Sequence, residues 1–175
     1  KKWEDLSDQQ RNGGCISLGK LHWSQAGFRT RGSTMCQIAT LQDLLLRNLT
    51  KFLLFIDLQK AYDSVILQIL IEKMRKRLRE EEYYLLTILH SLFSETTMVV
   101  MLNGIPTIPI ETERGLMQGS LLSPLLFNIF IDDLAWELQQ GQNLWEFVNL
   151  LYADDLILFS LNWDNLLKLV SVVTR

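Results

Sequence analysis

Two apolar runs interrupted by acid set the frame for this chain. "FLLFID" (52–57) is continuously apolar until it ends in Asp57, and "LLYADDLILFS" (150–160) holds Asp154 and Asp155 between two apolar stretches. Continuous apolar runs of this length read as strands buried on both faces. The first predicts a strand whose last residue, Asp57, emerges at a sheet edge. The second predicts strand, tight turn, strand, with the two aspartates at the turn. If the strands are neighbours, three carboxylates share one edge, where they repel each other unless divalent cations bind them. An isolated Asp-Asp pair is more often a solvated turn, but one embedded in aromatic and aliphatic strand residues is less often so, because an unpartnered charge is costly to bury.

The rest of the pattern supplies helices and one more hairpin. Apolar residues recur at helical spacing in "QIATLQDLLLRNL" (37–49), "SVILQILIEKMRKRLR" (64–79) and "EEEYYLLTILHSLF" (80–93). Asn103-Gly104, flanked by "TTMVVML" and "IPTIPIE", predicts a hairpin turn. "LLSPLLFNIFIDDLAWELQQG" predicts a helix from about Ser123, with Ser123 as N-cap, Pro124 in the first turn and Gly141 as the stop. Asp63 is expected to cap the helix after it, and Asp132, Asp133 and Glu137 to lie on a solvated helix face. The order strand, two helices, hairpin, helix, hairpin predicts an α/β or α+β fold, a layer of antiparallel strands with helices on one face. A boundary is expected near residue 50.

Composition narrows the function classes. With 175 residues and 48% hydrophobic content, the chain is long and apolar enough for a real core. Residues 1–56 carry 8 Lys and Arg against 4 Asp and Glu, and residues 57–175 carry 9 against 16, so the halves stand at +4 and −7. An acidic half meets nucleic-acid phosphates only with the help of cations or a basic companion region. Cys15 and Cys36 have neither metal-site spacing nor a disulfide framework, which suits a reducing compartment. The longest apolar stretch, at 121–131, falls short of the roughly 20 residues that span a bilayer. The chain begins at Lys1, so its amino terminus is open to a preceding segment.

"FIDLQKAYDSV" (55–65), "RGLMQGSLLSPLLFNIFI" (114–131) and "YADD" (152–155), in this order and spacing, resemble the palm motifs of reverse transcriptases of the non-LTR retrotransposon type. "QAGFRTRGSTMCQIATL" (25–41) resembles the fingers motif that precedes them. The resemblance implies an RNA-directed DNA polymerase of the α+β form, with residues 1–50 as a shortened fingers region and 51–175 as the palm with its catalytic hairpin. Asp57, Asp154 and Asp155 would be the catalytic carboxylates. With the carbonyl of Leu58 they would ligate two Mg²⁺ ions, for which Mn²⁺ can substitute, and carry two-metal phosphoryl transfer. The backbone amides of Lys60 and Ala61 would meet the incoming triphosphate, and Tyr62 would lie beneath the sugar and exclude a 2′-hydroxyl. Gln118 would contact the incoming nucleotide and Gly119 would let the backbone approach the template. Arg29, with Arg31 as a second candidate, would neutralise the triphosphate; each is otherwise a solvated loop charge, as Tyr62 is otherwise a packing residue.

The implied partners are an RNA template, a DNA or RNA primer and deoxynucleoside triphosphates, with no membrane, in a nuclear or cytoplasmic rather than secreted setting. Two departures from the family pattern matter. "CISLGK" (15–20) has Gly14-Cys15 where the family has Arg-Pro and lies only a few residues before "QAGFR", as a deletion in the fingers or a mis-spliced junction would explain. The chain ends at Arg175, with no room after the hairpin for a primer-gripping segment or a thumb, so the 175 residues are expected to be inactive alone. Two alternatives follow: a non-catalytic, palm-like remnant of a retroelement that binds nucleic acid or protein, and an RNA-directed RNA polymerase, which Tyr62 and the match of whole blocks disfavour.

Overall fold

The computed structural model describes residues 20–30, 32–94, 96–111, 114–140 and 149–174. In chain order its elements are helix α1 (Thr34–Leu46), strand β1 (Phe52–Asp57), helix α2 (Leu67–Arg75), a 3₁₀ turn at Glu80–Glu82, helix α3 (Tyr84–Phe93), strands β2 (Thr97–Met98), β3 (Met101–Leu102), β4 (Ile105–Pro106) and β5 (Ile110–Glu111), helix α4 (Ser123–Gln139), strands β6 (Asn149–Tyr152) and β7 (Asp155–Ser160), and helix α5 (Trp163–Val173). They fall into two compact units, Leu21–Val65 with Leu116–Arg175, and Ile66–Gly115. The architecture is α+β, as expected. Among the described residues no helix is long and apolar enough to cross a membrane.

The first unit is built on a three-stranded antiparallel sheet in the order β1-β7-β6. Side chains alternate across a strand, so register decides which residues share a face. Leu53, Phe159, Ile157 and Leu150 lie on one face and gather with Leu41 and Leu44 of α1. Leu151, Leu156 and Leu158 lie on the other and are fully buried. Helices α4 and α5 pack against β6 and β7 and against each other. Helix α5 has no counterpart in the sequence reading, although Asn162 caps it by accepting from the Asp164 N–H at 2.9 Å, and Leu166 and Leu169 form its buried stripe. Helix α1 is likewise capped by Ser33, which accepts from the Cys36 N–H at 3.1 Å.

In the second unit α2 packs on α3, and the Asn103-Gly104 turn joins β3 to β4 with both residues at positive φ, 51° and 82°. The charge run after α2 is tied locally: Arg79 donates to the buried Glu82 carboxylate at 2.9 Å, and Lys76 pairs with Glu72 at 3.6 Å.

Three expectations about helix α4 and the helix after Asp63 are corrected. Asp63 caps nothing, because α2 starts at Leu67 behind an extended Ile66, and Asp63 is exposed in the preceding turn. Ser123 lies inside α4, with Leu122 in the cap position, and its hydroxyl donates back to the Met117 carbonyl at 2.7 Å. Asp132 is 2% exposed, not solvated. Neighbouring residues on a helix point about 100° apart, so Asp133 stays in solvent while Asp132 turns inward to accept the His22 N–H at 2.6 Å and the Trp136 indole N–H at 3.1 Å. Gly141, the expected stop, lies outside the described residues.

Candidate active site

The edge of the β1-β7-β6 sheet collects the acidic residues. Asp57 is the last residue of β1 and stands directly opposite Asp155, the first of β7, while Tyr152 closes the hairpin opposite Asp155 on the other side. Asp57, Asp155 and Tyr152 therefore share a face with Phe55, which is 66% exposed. Ala153 and Asp154 form the two-residue turn between β6 and β7, with Ala153 at φ 56°. That left-handed conformation costs a residue with a Cβ roughly 1–2 kcal/mol, so the surroundings must hold it. Asp57 and Asp155 are exposed and Asp154 is half-buried.

Beyond Asp57 the chain leaves the sheet through Leu58 and turns at Lys60, also left-handed at φ 52°. The turn closes with the N–H of Ser64 on the Lys60 carbonyl at 2.9 Å and the N–H of Val65 on the Tyr62 carbonyl. The N–H groups of Lys60 and Ala61 take no part in those bonds. The Tyr62 ring stacks on Phe127 of α4, centroids 5.0 Å apart and 18° from parallel, and its carbonyl accepts the Leu116 N–H at 2.9 Å. Tyr62, Gln118, Gly119, Ser123, Pro124 and Phe28 line a cleft of about 440 Å³. Burial, and after it the negative charge of Asp154, push the Tyr62 hydroxyl above its ordinary pKa. Gly119 is at φ 88° with nothing within 4 Å of where a Cβ would stand.

Arg29 stands elsewhere. Its Nη1 donates to the carbonyls of His22 at 2.7 Å and Gln25 at 2.9 Å, and the side chain lines a separate cleft of about 330 Å³ with Trp23, Cys36, Gln37 and Thr40. Arg31 and Cys15 lie outside the described residues. The residues that hold the carboxylate turn are not among the site residues that the motif blocks imply. Gln25, 2% exposed, accepts the Ala153 N–H at 2.9 Å through Oε1 and donates from Nε2 to the Ala153 carbonyl at 3.2 Å. The backbone around it runs beside β6, with Leu151 N–H on the Ser24 carbonyl at 3.0 Å and Ala26 N–H on the Leu151 carbonyl at 2.9 Å. Asn128 and Asp132 of α4 anchor this segment through the Gly27 carbonyl at 2.8 Å and the His22 N–H. A glycine at 27 was the available signal: a Cβ there would collide with the Ala153 N.

The donor set suits a hard cation. All three side chains are carboxylates, none pairs with a lysine or arginine among the described residues, and Mg²⁺ takes one or two carboxylates, completing its shell with water and substrate phosphate. Among the described residues no three His, Cys, Asp or Glu side chains converge on one point that would hold a metal ion.

The profile of the family described as "Reverse transcriptase (RNA-dependent DNA polymerase)" matches residues 15–175. The chain is 31% identical over 174 residues to "Probable RNA-directed DNA polymerase from transposon BS" of Drosophila melanogaster, covering 94% of this chain and 18% of that protein. It is 29% identical over 153 residues to "Retrovirus-related Pol polyprotein from type-1 retrotransposable element R2" of Popillia japonica, covering 82% and 21%. It therefore spans about a fifth of the length of these curated relatives. Among solved structures, apo telomerase from Candida Tropicalis truncated from its C-terminal domain superposes with a TM-score of 0.61 at 21% identity, over 87% of this chain and 32% of that one. Telomerase from Candida albicans with the TWJ fragment of telomeric RNA gives 0.59 at 15% identity, over 86% and 28%. At these identities the likeness concerns the fold, and it agrees with the expected palm-like α+β architecture.

Proposed function

This chain belongs to the reverse transcriptase (RNA-dependent DNA polymerase) family, of the non-LTR retrotransposon type, and on that premise we propose that its sheet edge is the catalytic centre for adding deoxynucleotides to a primer along an RNA template. One observation carries this reading: Asp57 and Asp155 face each other across the end of the β1-β7 ladder, beside the turn that presents Asp154. Asp57 and Asp154 are the main ligands for two Mg²⁺ or Mn²⁺ ions, Asp155 is the third carboxylate and the Leu58 carbonyl a further oxygen. When bound, such ions would supply the positive charge that favours the attacking hydroxyl as a nucleophile and steadies the departing pyrophosphate.

The other residues bind and select. The Lys60 and Ala61 amides receive the triphosphate, and Tyr62, seated on Phe127, leaves no room for a 2′-hydroxyl. Gln118 and Gly119, on the same cleft as Tyr62, meet the incoming nucleotide and the template. Arg29, whose Nη1 is engaged by two carbonyls, enters through its charge. Residues 1–50 belong to the fingers and 51–175 to the palm.

The test is primer extension on an RNA template by the protein in its natural reading frame, with deoxynucleotides or ribonucleotides and Mg²⁺ or Mn²⁺. Extension with deoxynucleotides is expected, falling on the order of 10²-fold or more in Asp154→Asn, as when preorganised electrostatic stabilisation is removed from a site. Binding of primed template without extension would favour the non-catalytic reading, and extension with ribonucleotides the RNA polymerase one.

A further inference from the structure

We propose that Gln25 is a positioning residue for the carboxylate turn: its side-chain amide holds the two peptide groups that flank the Ala153 Cα and so sets where Asp154 stands. This rests on the reading of Asp154 as a cation ligand. Ala153 lies in a two-residue turn, and its N–H and C=O fall outside the β6-β7 ladder. Both are nevertheless bonded, because Gln25 meets them with one acceptor and one donor, Oε1 on the N–H at 2.9 Å and Nε2 on the C=O at 3.2 Å. The second of these peptides is the one that joins Ala153 to Asp154. Two bonds on either side of one Cα restrain both of its dihedrals, which is what a left-handed alanine at φ 56° requires.

The amide is itself fixed before it reaches the turn. Gly27 N–H donates to the same Oε1 at 2.8 Å, Arg29 Nη1 donates to the Gln25 carbonyl at 2.9 Å, and residue 25 bridges Leu151 in parallel register. Gln37 Nε2 ties the two sides again, donating to the Ser24 and Leu151 carbonyls at 2.8 and 2.9 Å. A carboxamide offers a donor and an acceptor at this reach without charge at any pH. A carboxylate would present an oxygen to the Ala153 carbonyl, and a thioether would leave both buried backbone groups unpaired. Support behind a ligand of this kind commonly changes metal affinity ten- to a hundredfold.

The experiment measures Mn²⁺ binding by electron paramagnetic resonance, with thermal unfolding alongside, in the protein in its natural reading frame carrying Gln25→Met, Gln25→Glu or Asp154→Asn. Gln25→Met is expected to melt cooperatively yet bind Mn²⁺ about tenfold or more weakly. Gln25→Glu is expected to bind nearly as the parent at low pH, where its buried carboxyl is protonated and donates to the Ala153 carbonyl, and progressively more weakly relative to the parent as pH rises. A Gln25→Met protein with parental Mn²⁺ affinity, while Asp154→Asn loses it, overturns the positioning role and leaves the cation site standing. Parental affinity in Asp154→Asn overturns the cation site itself, and the positioning role with it.

Discussion

Gly27→Ala should be among the most damaging single-methyl additions to this protein. The new Cβ would stand 3.0 Å from the Ala153 Cα and 3.0 Å from Gln25 Oε1, and nearer still to the Ala153 N. Two of these three atoms are backbone in a paired hairpin and the third is an amide oxygen pinned by two N–H groups, so no rotamer change relieves the contact. Carbon contacts settle near 3.5–4.0 Å, which requires the segment and the hairpin to part by about an ångström. Overpacking of that kind costs about 1–3 kcal/mol. The parting also stretches the Gln25 bonds to Ala153, each worth about 0.5–1.5 kcal/mol net and more if the buried groups are left unpaired. A loss of roughly 3–5 kcal/mol follows, a large share of the 5–15 kcal/mol typical of a domain. Gly119→Ala is the control: it meets no atom within 4 Å, and its φ of 88° costs only about 1–2 kcal/mol. Urea unfolding followed by circular dichroism measures both through the midpoint at constant slope. A Gly27→Ala protein as stable as the parent, or less affected than Gly119→Ala, would refute the close approach and the hold on the turn built from it.

Other expectations are tested as simply. Asp132→Ala strips the acceptor from the buried His22 N–H and the Trp136 indole and should lower unfolding stability by about 2–4 kcal/mol; a change under half a kcal/mol would show the carboxylate to be dispensable. Burial, outweighing the pull of Asp132 and aided by Arg29, holds the His22 pKa below its ordinary value. The unfolded chain thus binds the extra proton first, and stability should fall as pH drops below about 6.5 until folded His22 also protonates. Urea midpoints between pH 7 and 5 should show a shallower fall in His22→Asn, and identical profiles would exclude His22 as a source. Tyr62→Val should raise ribonucleotide relative to deoxynucleotide incorporation in the full protein with primer binding little changed; unaltered discrimination would move the sugar gate elsewhere. The 175 residues expressed by themselves should not extend a primer with either metal, since barrier reductions of about 7–11 kcal/mol depend on held reactants, and processive extension would contradict that.

The features legible in the residues alone are local or repeated: the apolar runs that become β1, β6 and β7, the helical spacing behind α1 to α4, the Asn103-Gly104 turn, and the motif blocks whose family the comparisons bear out. Each signal lies within a few residues of what it specifies. Capping was less legible, because Asp63 and Ser123 are good cap residues placed where the tertiary path, not the residue type, decides where a helix begins. The burial of Asp132 and the hold of Gln25 on Ala153 were not legible, since their partners lie 110 and 128 residues away and no periodicity links such positions. A glutamine in a loop and an aspartate on a helix each read as solvent-facing by type. Only the folded backbone, by running one segment beside β6 and the other inward from α4, brings the N–H and C=O groups that make burying them favourable.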